Sequence, residues 1–80
     1  MFKIKIDEAI KLHENLITIS GICENKKDFT NRLVDNDGNI YEAHIPFIKA
    51  LTSDDTGIIL GITGKHEAEP FLGKILLSTN

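Results

Sequence analysis

Apolar and polar residues alternate at the start of the chain. Phe2, Ile4 and Ile6 are separated by Lys3 and Lys5, the period of two expected of a half-buried strand. Asp7-Glu8 interrupts that alternation, Ile10 and Leu12 continue a short apolar stretch, and His13-Glu14-Asn15 reads as a polar turn. Leu16 to Cys23 is apolar and rich in β-branched residues, which predicts a strand packed on both faces. A polar linker runs from Glu24 to Asn31, and no helix of useful length is predicted up to this point.

The strongest local signal is Asp35-Asn36-Asp37-Gly38-Asn39. Asp and Asn tolerate the left-handed backbone region and Gly enters it freely, so Asp37-Gly38 is expected to form a type I′ hairpin turn. Leu33-Val34 leads in, and Ile40 to Ile45 leads out with Tyr41, Ala43 and Ile45 on one face. Pro46 lacks an amide donor and is expected where that strand ends. Phe47 to Leu51 fits one helical turn or a bent strand, and Ser53-Asp54-Asp55-Thr56-Gly57 reads as a loop. Gly57 to Thr63 is the next strand, Glu67-Ala68-Glu69 a helical turn before Pro70, and Phe71 to Ser78 the last strand. Six or seven short strands between turn signals predict an all-β fold, a small antiparallel Greek-key β-barrel, spanning 1–80 as one domain.

Composition narrows the function classes. A hydrophobic fraction of 41% with 26% charge is that of a folded domain rather than a disordered chain. Aromatic residues are scarce at 6%, with no Trp, which argues against a platform for stacking bases. A formal charge of −3 argues against a sequence-independent nucleic-acid binder, which needs a cationic face. The lone Cys23 offers neither an internal disulfide nor a paired metal ligand. No stretch has the roughly 18 apolar residues of a membrane span, and none has the order of a signal peptide. The expectation is a cytoplasmic chain that does not enter a membrane.

The C-terminal pattern carries a family resemblance. Ile58-Ile59-Leu60 leads into Gly64, eight residues separate Gly64 from Gly73, and Gly73-Lys74-Ile75-Leu76-Leu77 opens a further apolar run. This resembles the end of domain II of the elongation factor Tu family, the β-barrel of translational GTPases. There a strand ends in Gly, a polar loop with a helical turn follows, and a Gly-x-(Val/Ile)-Leu strand closes the barrel. The similarity reaches the N-terminal half: Ile6 to Gly21 lies without a gap on that family's opening pattern, and Phe47, Lys49 and Leu51 fall on a Phe-x-Lys-x-Leu segment. The resemblance implies the barrel, with Gly21, Gly64 and Gly73 as backbone markers, and contact with the ribosome or transfer RNA. It also has departures. His13-Glu14-Asn15-Leu16 replaces a Pro-Gly-Arg-Gly turn, while Ile22 and Thr63 stand where the family often has Arg. The resemblance covers domain II alone, with no match to the GTPase half, and the RNA-binding residues do not carry over.

Candidate chemistry is sparse. Asn25-Lys26-Lys27-Asp28 spells the Asn-Lys-x-Asp guanine motif, but Gly-x-x-x-x-Gly-Lys-(Ser/Thr) is missing, so no phosphate cradle accompanies it. Asp35 to Asn39 lacks the sixth-position Gly and late Glu of an EF-hand loop. His13, His44 and His66 have no metal spacing, and no metal or cofactor is expected. Cys23 is expected as a buried, inert thiol. Asp7-Glu8 and Asp54-Asp55 are read as solvated charges rather than an acid–base pair. No catalytic residue is assigned. The reading is a non-enzymatic, macromolecule-binding barrel with a protein as partner, RNA or the ribosome being the second choice. A small-ligand barrel or an accessory subunit of a larger enzyme is the alternative. Lys26, Lys27, Lys49, Lys65 and His66 are the candidate partner-binding residues, provided they share a face.

Overall fold

The computed structural model describes residues 1–46 and 56–79. Phe47, Lys49 and Leu51 of the family-like segment, and Ser53-Asp54-Asp55 of the expected loop, lie outside them. Six strands are present: β1 (Lys3–His13), β2 (Leu16–Glu24), β3 (Arg32–Val34), β4 (Ile40–His44), β5 (Gly57–Thr63) and β6 (Ile75–Ser78). They form a closed antiparallel barrel in the order β1-β2-β5-β4-β3-β6. β3, β4 and β5 follow one another, and β6 returns to lie beside β3, the order of a Greek key. Helical structure among the described residues is confined to two 3₁₀ turns, Lys26–Asp28 and Glu69–Phe71.

The alternating residues fill the barrel. Phe2, Ile4, Ile6, Ile17, Ile19, Leu33, Leu60, Ile62 and Leu76 are fully buried. Each such side chain contributes about 1.5–3 kcal/mol relative to exposure, so the lumen is the main source of stability. β2 departs from expectation. Ile17, Ile19 and Cys23 face the lumen, but the other face is open and Ile22 is 59% exposed. The strand is packed on one side only, because its outer neighbours are small or polar and nothing among the described residues covers them.

Asp7 is a bulge rather than a break. Ile6 pairs with Gly21 and Glu8 with Ser20, leaving Asp7 without a partner while β1 runs on to His13. The extra residue inverts the alternation. Asp7 and Glu8 are both exposed, Ala9 turns toward the core, and Ile10 and Leu12 point outward at 50% and 56% exposure. β1 and β2 approach so closely here that a Cβ on Gly21 would fall 1.9 Å from the Lys5 carbonyl oxygen. Only glycine fits that position.

Three local expectations are corrected. The β3–β4 turn is not type I′, which needs positive φ at both Asp37 and Gly38. Gly38 has φ +85° but Asp37 does not share the left-handed region, and Asp35 pairs with Asn39 across a three-residue loop, Asn36-Asp37-Gly38. The helical turn lies at Glu69–Phe71 and includes Pro70, whose missing amide is harmless in a first turn. The last strand therefore begins at Ile75, not Phe71, and Phe71 is instead a buried plug at the mouth of the barrel.

Candidate functional site

The strand order assigns each loop to one of two barrel ends. The β1–β2 turn, the β3–β4 turn and the long β5–β6 connection share one end, here called the turn end. The β2–β3 connection lies at the opposite end, beside the N-terminus. Lys26 and Lys27 therefore sit at the N-terminal end, while Lys65 and His66 sit at the turn end. These candidates do not form one cationic face, and Lys49 lies outside the described residues.

At the turn end the structure builds a polar hub that the sequence did not announce. Asp35 follows β3 and is nearly buried. Its Oδ1 accepts the amides of Asp37 (2.9 Å) and Asn39 (3.0 Å). Its Oδ2 accepts Asn39 Nδ2 (3.2 Å), Tyr41 Oη (2.9 Å) and Lys74 Nζ (3.1 Å). Burial alone would push this carboxyl up. The bonds from Asn39, Lys74 and Tyr41 outweigh it and hold the group well below the usual carboxylate range. Burial and the bond to Asp35 push the Tyr41 hydroxyl up, and the bond to Asp35 raises Lys74.

An aromatic cluster adjoins the hub. Tyr41, His66 and Phe71 meet edge to face, with ring centroids 5.3 Å apart for Tyr41–His66, 5.0 Å for Tyr41–Phe71 and 5.8 Å for His66–Phe71. His66 also lies over Gly64, whose φ of +112° turns the chain out of β5. His66 is thus a packing residue with one side exposed to a groove of about 310 Å³ bounded by Lys11, Glu14, Lys65 and Glu67. Lys11 Nζ and Glu67 Oε1 pair across that groove at 3.2 Å. Its charges are balanced, two lysines against two glutamates.

At the other end, the guanine-like tetrapeptide has a structural use. Asn25 adopts φ +58°, and its Nδ2 donates to the Met1 carbonyl at 2.9 Å. Asp28 Oδ2 accepts the Met1 ammonium at 2.9 Å. Phe2 and Phe29 meet edge to face below this clasp. Lys26 Nζ is shielded and has no hydrogen-bond partner among the described residues, which suits a phosphate contact poorly. Burial pushes the Cys23 thiol up, partly offset by the Lys26 charge, so the thiol is held in its neutral form. Among the described residues no cluster of His, Cys, Asp or Glu is placed to hold a metal ion. Nor is any helix among them long and apolar enough to cross a membrane.

The outer wall of β2 and β5 is the remaining unusual surface. Its outward positions are Leu16, Thr18, Ser20 and Ile22 on β2, and Gly57, Ile59, Gly61 and Thr63 on β5. None carries a charge. Ile59 is 51% exposed and lies diagonally beside Ile22, since Ser20 faces Ile59 and Ile22 faces Gly57. The His44 ring covers Gly61, where a Cβ would lie 2.3 Å from it, so this part of the wall is low and flat. A period-two count with the strand's faces assigned would have found this wall; reading β2 as packed on both sides hid it. No protein-family model, curated protein or solved structure matches the chain.

Proposed function

We propose that this chain is a protein-docking β-barrel module without catalytic chemistry of its own. The observation that carries the reading is the charge-free outer wall of β2 and β5, with Ile22 and Ile59 both more than half exposed. A charge-free wall on which two half-exposed isoleucines lie side by side suits a protein contact. Among the described residues the candidate lysines are divided between the two barrel ends, Lys26 and Lys27 at one and Lys65 at the other, which favours a protein over RNA as the partner. The likeness of the sequence to translation-factor domain II supports a partner in translation, such as a ribosomal protein, and an accessory role beside a larger enzyme would use the same wall.

A photo-crosslinking amino acid at Ile22, introduced in the cell that makes the protein, tests this. The expected product is a discrete protein adduct that disappears when Ile59→Glu is added while the melting temperature holds. Crosslinks to RNA, or none, would overturn it. A complementary titration with transfer RNA at physiological salt is expected to show no binding. Measurable binding whose log K falls with log salt would restore the RNA reading.

A further inference from the structure

A different feature, independent of the β2–β5 wall, points to a second interaction surface. β1 is longer than its neighbour on one side. β6 pairs with Lys3, Ile4 and Lys5, and Gly73 and Lys74 extend that pairing only to Ile6. Beyond the bulge, Glu8 to Lys11 pair with β2 alone. The direction of the backbone groups follows from the ladder. Ile6 bonds to the β6 side, and Cys23 bonds to Thr56 on the β5 side, so Lys5 and Ile22 face each other. Carrying the alternation past the bulge turns Glu8 and Ile10 toward β2, and Ala9 and Lys11 away from it. Among the described residues no backbone group bonds to the outward N–H or C=O of Ala9 or Lys11. Lys11 borders the groove that its ion pair with Glu67 crosses, and the Glu69–Phe71 turn packs against β1.

We propose that this edge is filled by the same edge of a second copy, in an antiparallel pair with Ile10 opposite Ile10 of the partner subunit on a two-fold axis. Three registers use the free groups, and side chains select among them. Centring on Ala9 leaves Ala9 with Ala9 as the one regular hydrogen-bonded pair, because it sets Lys11 against the bulge residue Asp7. Centring on Lys11 places two ammonium groups directly opposite each other. Centring on Ile10 pairs each Ala9 with the other copy's Lys11, forming four inter-chain hydrogen bonds. Every Lys11 then faces a small side chain, and no like charges meet. On the outer face the two Ile10 residues touch, flanked diagonally by the two Leu12 residues. This removes from water the apolar side chains that the Asp7 bulge turns outward.

Sedimentation velocity across about 1 µM to 1 mM chain tests the dimer. The expected result is a concentration-dependent shift from one copy to two. Ile10→Asp puts like charges on the axis and is expected to weaken association at least tenfold without altering the circular dichroism spectrum. Lys11→Pro removes only an outward amide and should do the same. Should the proline variant lose its fold, Ile10→Asp still decides the matter. Ile10→Cys supplies the positive arm, because a non-hydrogen-bonded antiparallel pair sets Cα atoms about 4.5 Å apart, within disulfide reach. Oxidised glutathione should convert this variant to a covalent dimer. Leu12→Cys should remain uncrosslinked, its two copies being roughly 14 Å apart in this register, and the parent, whose Cys23 is buried, is the control. A parent that stays monomeric at about 1 mM would overturn the proposal, as would a dimer indifferent to Ile10→Asp and Lys11→Pro. A monomer that captures extended peptides on this edge would replace it with a peptide-binding reading.

Discussion

Both ends of the barrel are finished by a 3₁₀ turn, edge-to-face aromatic rings (a pair at the N-terminal end, three at the turn end) and one carboxylate, yet the two carboxylates are held very differently. Asp28 binds the Met1 ammonium at 2.9 Å with more than half its side chain in water. Asp35 binds Lys74 at 3.1 Å with a side chain 2% exposed, and adds four further hydrogen bonds. Solvent screens the first pair, and exposed pairs of this kind contribute roughly 0–1 kcal/mol. The second cannot be broken without stranding a buried charge. The turn end is therefore the structurally committed end, and the N-terminal end is a light clasp.

The most severe way to break this comparison is Asp35→Ala. It leaves Lys74 and Tyr41 without their acceptor, and the melting temperature should fall by roughly 10 °C or more. A drop no larger than that of Asp28→Ala would erase the distinction. Acid titration sharpens it further. The Asp35 pKa is depressed in the folded state, so its stabilisation is complete above the unfolded-state value near 4 and is lost as pH falls through the folded value. Thermal melts between about pH 5 and pH 2 should show the parent losing stability more steeply than Asp35→Asn.

Gly38→Val acts on the same end by another route. A Cβ at Gly38 meets nothing within 4 Å, so the cost is conformational alone, on the order of 1–3 kcal/mol for φ +85°. Chemical denaturation checks this, and a parent-like midpoint would mean that the loop relaxes freely. At the opposite end, Asp28→Ala should cost less than about 1 kcal/mol and should vary with salt. The smallest expected effect is that of GTP. At about 1 mM it should leave the melting temperature unmoved, because Asn25 and Asp28 are engaged with Met1 and no phosphate cradle accompanies them. A rise abolished by Asp28→Ala would give the tetrapeptide back its nucleotide reading.

What could be read from the residues alone divides along physical lines. The strand at Gly57–Thr63, the lumen side chains Phe2, Ile4 and Ile6, and the special backbone at Gly38 follow from local periodicity and turn chemistry. The outward turn of Ile10 and Leu12 does not, because the bulge at Asp7 inverts the alternation that follows it and a second irregularity falls at Leu12 itself. Asp35 read as an ordinary turn residue, since its decisive partner Lys74 lies 39 positions away. The separation of Lys26-Lys27 from Lys65-His66 depends on strand order, which no local pattern encodes.

The position of β6 bears on the order of folding. It lies between β1 and β3, so the last strand is the neighbour that the first and the third share. During synthesis, β1 and β3 keep their pairing edges open until the chain has emerged past Ser78. The contacts that complete the ring span more than seventy residues between Lys3 and Leu77. Such distant pairings slow folding and prolong the life of open-edged intermediates. Closure of the ring is therefore expected to be the late step, and changes at Leu76 or Leu77 should act chiefly on the unfolding rate.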